Sequence, residues 1–163
     1  MNKQIDIIVR EARLEELPDL KAFEQEIIRY ERSFAPQLKE DPITYYDIKE
    51  LIQRDDAQVL VAVDGNKIIA SGYALVKKSE PYFRSEQYAY LGFMFVAPKY
   101  RGQGINGVIN QNLIVWAKER GLSEIQLEVY ASNDSAIRAY RKMGFQPNIL
   151  NMRLNIEEIE SKS

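Results

Sequence analysis

A glycine-rich stretch, YRGQGING, constrains the fold more than any other part of this 163-residue chain. The run before it, QYAYLGFMFVAP, is apolar and aromatic, and it ends at Pro98, which cannot donate a hydrogen bond to a β-ladder. The run after it repeats apolar residues at the three- and four-residue steps of one helix face, and Gly121 stands at its C-cap position. Its apolar positions are Ile105, Val108, Ile109, Leu113, Trp116 and Ala117. A strand, a tight loop and a helix are therefore predicted in this order.

The segment SEIQLEVY, which follows this helix, alternates between apolar and polar residues as a half-buried strand does. Ile125, Leu127 and Val129 share the apolar face, so Glu128 lies on the opposite face. Two strands joined by a helix form a β-α-β unit, and such strands are parallel with a right-handed crossover. We therefore expect the strand before the glycine loop to pair in parallel with this one.

The first half of the chain predicts two helices and an antiparallel hairpin. Ile5 to Val9 is a short run typical of a strand, and apolar residues recur with the helical period from Leu14 to Tyr30. A second helix is predicted in ITYYDIKELIQR, after Pro42. The runs AQVLVAV and IIASGYALV, joined by a turn that contains Asp-Gly-Asn, predict the hairpin. The buried face of the first helix is expected to carry Leu14, Leu17, Leu20, Phe23, Ile27 and Tyr30.

The last part of the chain predicts one more helix and one more strand. The helix lies in SNDSAIRAYRKMG, with Asn133 or Ser132 as its N-cap and Gly144 as its terminator, and a short strand is expected within Phe145 to Leu154. The element order is then β-α-α-β-β-β-α-β-α-β. This order predicts an α/β fold, a mixed-sheet three-layer domain that is antiparallel in its N-terminal half and has a parallel pair around the glycine-loop helix. We expect residues 1–163 to form a single domain, with 155–163 as a frayed tail.

The composition excludes several kinds of chemistry. The chain has no histidine, so any proton transfer must use carboxylates, tyrosine, lysine or water. It has no cysteine, which excludes disulfides, thiolate nucleophiles and thiolate metal sites, and we expect no bound metal. The net charge of −2 provides no basic surface for nucleic acid or anionic membrane, and no run of about 18 apolar residues occurs. We therefore expect a cytoplasmic protein with neither nucleic acid nor membrane as partner.

The glycine loop is compatible with three kinds of phosphate site. Gly102, Gly104 and Gly107 form the dinucleotide pattern G-x-G-x-x-G, but only about 60 residues follow, too few for a full dinucleotide-binding sheet, and the strands before the loop are antiparallel. A P-loop would need Lys and Ser or Thr where Val108 and Ile109 stand. A helix N-terminus binds phosphate through free N–H groups, and an arginine at the loop entrance adds a fixed charge. The third kind of site agrees best with the residues.

Two segments, VAPKYRGQGINGVI and LEVYASNDSAIRAYRKMGF, resemble the GNAT superfamily of acetyl-coenzyme A dependent N-acetyltransferases. The loop pattern of that superfamily is Q/R-x-x-G-x-G/A, and its later segment is Asn-x-x-Ala-x-x-x-Tyr-x-x-x-Gly-Phe. The later segment is matched by Asn133, Ala136, Tyr140, Gly144 and Phe145. One position departs from the loop pattern, because Asn106 stands where Gly or Ala is usual. The resemblance covers the element order of nearly the whole chain, and its specific motifs lie between about residues 94 and 145.

The resemblance implies direct transfer of an acetyl group from acetyl-CoA, as co-substrate, to a primary amine of a small molecule or a peptide, in a ternary complex. It implies that the backbone of Met94, Phe95 and Val96 pairs with the pantetheine arm and polarises the thioester. It implies that Asn133 contacts the same arm. The coenzyme diphosphate would bind the N–H groups of Arg101, Gly102, Gln103, Gly104, Ile105 and Asn106.

The resemblance also indicates which side chains would transfer protons. Many members carry a glutamate base on the strand before the loop, where this chain has Gly92 and Phe93. Glu128, twelve residues before Tyr140, instead matches the ribosomal-protein N-terminal alanine acetyltransferases, in which a strand glutamate is the base and a helix tyrosine is the acid. The catalytic candidates are therefore Glu128 as base, with relay through water as the alternative, and Tyr140 as acid.

The acceptor pocket is expected, by analogy with the family, between the first two helices and the hairpins opposite them. Its candidate residues are Glu26, Tyr30, Glu31, Phe34, Tyr45, Tyr46, Tyr82 and Phe83. Acidic and aromatic side chains suit a cationic amine. The leading hypothesis is an N-acetyltransferase, which Asn133, Tyr140 and Glu128 favour. The alternative is a non-catalytic acyl-CoA-binding domain, which the missing strand glutamate favours. The sequence determines neither the amine, nor the acyl group, nor the oligomeric state, which could be a homodimer.

Overall fold

The computed structural model describes residues 6–162, so Ile5 of the predicted first strand lies outside the described residues. The chain divides into two compact units, Met1–Glu128 and Val129–Ser163. The first unit contains the sheet, and the second contains the last two helices. No helix in the range 6–162 is long and apolar enough to cross a membrane.

The first unit is a five-stranded mixed sheet with helices on both faces. Its elements are β1 Ile7–Glu11, α1 Leu17–Glu31, α2 Ile48–Gln53, β2 Ala57–Asp64, β3 Lys67–Lys78, β4 Gln87–Val96, α3 Ile105–Glu119 and β5 Ile125–Leu127. The strand order is β1-β2-β3-β4-β5, in which the first three pairings are antiparallel and β4 pairs with β5 in parallel. The predicted hairpin and the predicted parallel pair around the glycine loop are confirmed.

The hydrophobic core lies against both faces of this sheet. Helices α1 and α2 pack on one face, where they bury Leu20, Ile48, Leu51, Val61, Tyr73 and Phe93 in one cluster. Helix α3 packs on the other face, and its Ile109 and Leu113 are fully buried. Three layers result, as the element order predicts.

The inward faces of α1 and α3 differ in part from the predicted ones. In α1 the buried residues are Leu20, Glu24 and Ile28, whereas Tyr30 is exposed. Leu14 lies in a 3₁₀ turn before α1 and is also exposed. In α3 the buried set includes Asn110, and Val108 is exposed. Apolar periodicity did not predict these positions because Glu24 and Asn110 are buried through hydrogen bonds rather than through apolarity.

Helix α2 begins at Ile48, five residues later than the sequence predicts. Asp47 caps it, and its side chain accepts a hydrogen bond from the Glu50 backbone N–H at 3.1 Å. The backbone N–H groups of Tyr45 and Tyr46 both donate to the buried Glu24 carboxylate, at 2.9 and 2.7 Å. Because a side chain of α1 holds these two donors, the segment before Asp47 forms a loop instead of a helical turn.

The second unit contains α4 Asp134–Lys142 and α5 Ile156–Ser161. Asn133 is the N-cap of α4, since its side chain accepts from the Ala136 backbone N–H at 3.3 Å, and Gly144 follows the helix with a φ of 105°. The strand predicted within residues 145–154 is wrong, because no residue of that range pairs in a ladder. An alternating pattern forms a strand only where another backbone supplies partners, and the side chains of Ile149, Leu150, Met152 and Leu154 are exposed.

Gly72 allows α3 to lie close to β3, and this contact yields a stability prediction. A Cβ at Gly72 would lie 2.8 Å from the Ile109 Cγ2 atom and 2.8 Å from the Met94 Sδ atom. Since Ile109 is fully buried and cannot move away, we expect Gly72→Ala to lower the free energy of unfolding by about 1–3 kcal/mol in urea titrations.

Gly107→Ala is the matched control, because a Cβ at Gly107 would have no heavy atom within 4 Å and the position is helical. We expect this control to raise the free energy of unfolding by about 0.5–1 kcal/mol. Equal effects of the two substitutions would contradict the close packing of α3 on β3.

Candidate active site

Strand β4 contains a β-bulge at Phe93 and Met94. The ladder between β3 and β4 pairs Tyr73 with Gly92 but Ser71 with Phe95, so two residues of β4 oppose Gly72 alone. Phe93 has a φ of 58°, the left-handed region that a phenylalanine rarely adopts. Its carbonyl, displaced from the ladder, accepts a hydrogen bond from the Ser71 hydroxyl at 2.9 Å. The bulge therefore reorients the backbone of the segment that the sequence associates with the coenzyme arm.

The other edge of β4 opens beyond the same point. Strand β5 pairs with Ala89, Tyr90 and Leu91, and no strand among residues 6–162 continues this pairing along Gly92 to Val96. The backbone of Met94 and Phe95 therefore has an edge to which an extended ligand could bind as a further strand would. The Val96 carbonyl accepts from the Arg101 Nε at 3.0 Å, which ties the strand end to the loop that follows.

The glycine loop is anchored by a hydrogen bond at its start, and its glycines have no close neighbours. One turn of 3₁₀ helix, Pro98–Tyr100, precedes it, and the Tyr100 hydroxyl donates to the Asp64 carboxylate at 2.6 Å. Gly102 and Gly104 have φ values of 78° and 79°, and a Cβ at either position would have nothing within 4 Å. The loop therefore keeps its left-handed shape without contacts that would block a ligand.

The residues around this loop fit a diphosphate group. Helix α3 begins at Ile105, and the N–H groups of its first turn have no partner within the helix. Its first turn contains no acidic side chain, and residues 101–104 are exposed. A positive helix end, free N–H groups and the Arg101 charge together suit an anion. The side-chain oxygen of Asn106 is buried and has no hydrogen-bond partner in the described part of the chain, so a donor could also bind there.

Glu128 lies directly beyond β5, beside a group of tyrosines. The last parallel pair is Leu91 with Leu127, so Glu128 continues the strand next to Gly92. The pKa of Tyr73 is raised to about 12, chiefly by burial and to a smaller extent by the negative charge of Glu128. The same two causes, in the same order, raise the pKa of Tyr90. These phenols therefore keep their protons at neutral pH, and the Glu128 charge lies near both of them.

Tyr73 occupies the space that a side chain at position 92 would need. A Cβ built on Gly92 would lie 2.7 Å from the Tyr73 Cε1 atom and 2.8 Å from its hydroxyl oxygen. The Lys77 ammonium lies 3.8 Å from the centroid of the Tyr90 ring, on the same face of the sheet. Neither Tyr73 nor Tyr90 was predicted as a site residue, although the alternation of β3 and β4 places both on the face that α1 covers.

The segment between α1 and α2 contributes Tyr46 to this face. The Tyr46 ring contacts those of Tyr73 and Phe93, with centroids at 5.6 and 5.3 Å. Burial raises the pKa of Tyr46, and the charges of Tyr73 and Glu31 act in the same direction. Burial also raises the pKa of the Glu31 carboxyl. Because Glu24 accepts from the Tyr46 backbone N–H, a buried side chain of α1 fixes the position of Tyr46 beside Tyr73 and Phe93.

Among the other predicted acceptor residues, Tyr45 joins this cluster, because its ring contacts that of Tyr46 edge to face with centroids 5.7 Å apart. Glu26, Tyr30, Tyr82 and Phe83 make their contacts elsewhere. Tyr82 and Phe83 are exposed and contact each other, with ring centroids 4.8 Å apart. Glu26 forms an exposed ion pair with Arg29. The exposed Tyr30 contacts Phe34 edge to face at 5.5 Å. Among the eight candidates, Tyr46 therefore has aromatic contacts within the cluster and Glu31 has a negative charge near it, which are the features that a site for a cation needs.

The second unit contains the two remaining predicted residues. Asn133 is buried, and its Oδ1 accepts from the Ser135 hydroxyl as well as from the Ala136 N–H, both at 3.3 Å. Tyr140 lies on α4, and its ring contacts Phe145 edge to face with centroids 5.9 Å apart. The Phe145 backbone N–H donates to the Tyr140 carbonyl at 3.1 Å, which closes the helix end. Their roles in coenzyme binding and acid catalysis stay predictions.

Comparison with known proteins identifies the family. The model of the acetyltransferase (GNAT) family matches residues 20–145. Streptothricin acetyltransferase of Streptomyces lavendulae is 38% identical over 90 residues, which are 55% of this chain and 45% of that protein. N-alpha-acetyltransferase 30 of Schizosaccharomyces pombe is 27% identical over 105 residues, which are 64% of this chain and 68% of that protein. The chain thus spans less than half of the first of these relatives.

Solved structures share the fold. A mutant of the BH1408 protein from Bacillus halodurans has a TM-score of 0.83 at 22% identity, over 91% of this chain and 99% of that one. A predicted acetyltransferase from Clostridium acetobutylicum, crystallised with acetyl-CoA, has a TM-score of 0.70 at 23% identity, over 93% and 97% of the two chains. At these identities the similarity demonstrates the fold.

The raised pKa of Tyr73 predicts a loss of stability at alkaline pH. Its pKa of about 12 exceeds the ordinary value, so above about pH 10 the unfolded chain releases the proton while the folded chain retains it, and unfolding becomes easier as pH rises. We expect Tyr73→Phe to lose less free energy of unfolding than the wild type between about pH 9 and pH 11, measured by urea titration.

The exposed Tyr82 provides the control for this measurement, because Tyr82→Phe removes a phenol outside the cluster. We expect the pH dependence of Tyr82→Phe to match the wild type. If Tyr73→Phe also matched it, the assignment of a raised pKa to Tyr73 would be wrong.

Proposed function

The chain belongs to the acetyltransferase (GNAT) family, and we propose that it transfers an acetyl group from acetyl-CoA to a primary amine of a small molecule or a peptide, directly in a ternary complex. The observation that carries this proposal is the bulged, open edge of β4, which is followed by a glycine loop and a helix start without acidic residues in its first turn. Such an edge provides backbone groups for an extended arm, and such a loop provides donors for a diphosphate. The lack of cysteine supports the cytoplasm as the proposed compartment.

The coenzyme would bind along two adjoining elements. The backbone N–H groups from Arg101 to Asn106 would hold the diphosphate, with the Arg101 charge at the entrance. The backbone of Met94, Phe95 and Val96 would hold the arm and polarise the thioester carbonyl, and the family motif assigns Asn133 to the same arm. Acetyl-CoA supplies the activated acyl group, and the protein has only to place an amine against it and move two protons.

Glu128 would act as the base and Tyr140 as the acid. An alkyl amine has a pKa of about 10, so a proton must leave before the nitrogen attacks the carbonyl carbon. Glu128 would take that proton, directly or through water, as the C–N bond forms. Tyr140 would give a proton to the sulfur as the C–S bond breaks, and Glu128 and Tyr140 would then exchange protons with solvent.

The acceptor would bind as a cation at the tyrosine cluster. Tyr46 supplies an aromatic ring near the Glu31 charge, and Glu128 supplies negative charge beside Tyr73 and Tyr90. Lys77 already covers one face of the Tyr90 ring, so Tyr46 is the ring proposed to contact the amine. By their names, streptothricin acetyltransferase and N-alpha-acetyltransferase 30 act on different amines. A primary amine of a small molecule or a peptide is therefore the level at which the acceptor is proposed.

A non-catalytic acyl-CoA-binding domain is the second candidate function. It is favoured by Gly92, which leaves β4 without the glutamate that many family members carry there, and by Tyr73, which occupies the space instead. Such a domain would keep the loop and the open edge but would transfer nothing.

Two measurements separate these functions. Acetyl-CoA should raise the thermal midpoint of the protein by mass action, and thiol should be released when members of an amine panel are added. Stabilisation by acetyl-CoA without thiol release from any acceptor would favour the binding domain. If acetyl-CoA caused neither stabilisation nor thiol release, both functions would be rejected.

The proposed roles predict distinct defects in two variants. Glu128→Gln should lower kcat most near neutral pH and recover as pH approaches the amine pKa, because the free amine then needs no base. Tyr140→Phe should lower kcat by about 10²–10⁴-fold with little change in coenzyme affinity, because only the proton donor to sulfur is removed. Both are measured as pH–rate profiles with the best acceptor of the panel.

Glu124→Gln is the control for Glu128, since it neutralises an exposed carboxylate just before the same strand. Its pH–rate profile should equal that of the wild type. A Glu128→Gln profile with the wild-type shape would exclude Glu128 as the base, and unchanged turnover in Tyr140→Phe would exclude Tyr140 as the acid.

A further inference from the structure

Two asparagines on α3, Asn106 and Asn110, place a pair of unsatisfied oxygens at the start of the helix. The Asn110 Nδ2 donates to the Asn106 backbone carbonyl at 2.9 Å. The two side chains are therefore on the same side of α3, with Asn110 one turn closer to the C-terminus of the helix. Asn110 is 1% exposed. The Oδ1 atoms of both residues are buried and have no hydrogen-bond partner among residues 6–162.

A third asparagine on the same helix shows what is particular about this pair. Asn112 makes the same bond, from its Nδ2 to the Val108 carbonyl at 2.8 Å, but it is exposed and water can reach its oxygen. Asn110 lies between Ile109 and Leu113, both fully buried. A buried oxygen without a donor costs free energy there, and an apolar side chain would avoid that cost. The functional state therefore has to supply a donor.

The position of the pair indicates the source of that donor. Asn106 is the second residue of α3, directly after the loop proposed to hold the diphosphate. Ile109, the neighbour of Asn110, contacts β3 at Gly72, and the Met94 side chain reaches the same glycine from the bulge. The two asparagines therefore lie on the first two turns of α3, a helix that begins at the glycine loop and packs on both β3 and β4, along which the coenzyme arm would run.

The chemistry of the pair selects one part of the coenzyme. Two carbonyl-type oxygens accept hydrogen bonds and repel anions, so they cannot extend the diphosphate site. The pantetheine arm carries a hydroxyl and two amide N–H groups beyond the diphosphate, and these are donors. We propose that Asn106 and Asn110 form an acceptor site for the hydroxyl and amide donors of the pantetheine arm. This assignment rests on the proposed coenzyme.

Calorimetric binding with two ligands tests the assignment. Coenzyme A contains the arm, whereas adenosine 3′,5′-bisphosphate has the same phosphorylated ribose and adenine without it. We expect Asn110→Leu to bind coenzyme A about tenfold more weakly than the wild type while its affinity for adenosine 3′,5′-bisphosphate stays within about twofold. Its thermal midpoint without ligand should equal or exceed that of the wild type, because an unsatisfied oxygen is removed.

Two further variants ensure that the conclusion does not depend on Asn110→Leu alone. Asn106→Ala removes the other oxygen and should show the same selective loss for coenzyme A. Asn112→Ala, the control, removes the exposed asparagine with the same backbone bond and should bind both ligands as the wild type does.

Unchanged affinity for coenzyme A in Asn110→Leu and Asn106→Ala would overturn the assignment and favour a buried water as the donor. An equal loss for both ligands would also overturn it, since the defect would then lie in the loop. If the wild type bound neither ligand, the proposed coenzyme itself would be rejected, and that outcome is distinct from the other two.

Discussion

The bulge in β4 is the constraint on which the rest of the site depends. Holding Phe93 in the left-handed region costs about 1–3 kcal/mol, so the surroundings must favour that conformation. Ser71 bonds the displaced carbonyl, and the ring of Tyr46 packs on the ring of Phe93. Tyr46 is in turn positioned by the two backbone bonds to Glu24. A buried carboxylate on α1 thus helps to hold a strained residue in the sheet.

Two glycines allow side chains to pack closely against the two faces of the sheet near this bulge. Gly72 faces α3, where its missing side chain leaves room for Ile109 and Met94. Gly92 faces α1, where its missing side chain leaves room for Tyr73. The start of α3 and the tyrosine cluster are therefore brought close to the same short stretch of β4. In the proposed function the thioester of acetyl-CoA binds along this stretch. The protein groups that bind the coenzyme then lie on the α3 side, and the amine lies on the side of the tyrosine cluster.

The sequence predicted what local backbone chemistry decides. The tight glycine loop with the helix after it, the α4 cap predicted at Asn133 or Ser132, and the β2–β3 hairpin depend on residues within a few positions of one another. Tyr73, Tyr90 and Glu24 were missed because their neighbours lie far away in the chain. The second helix was predicted too long for the same reason, since the carboxylate that holds Tyr45 and Tyr46 belongs to α1.

By itself the sequence determined the element order up to the last strand, the parallel pair around the glycine loop and the family, because motif spacing and periodicity are properties of contiguous residues. Only the tertiary structure decided that Tyr73 fills the space at Gly92, that Asn106 and Asn110 keep unsatisfied oxygens, and that residues 145–154 form no strand. These outcomes depend on which groups from distant segments meet. Close packing and the cost of unpaired polar groups act on such contacts, which a linear pattern does not contain.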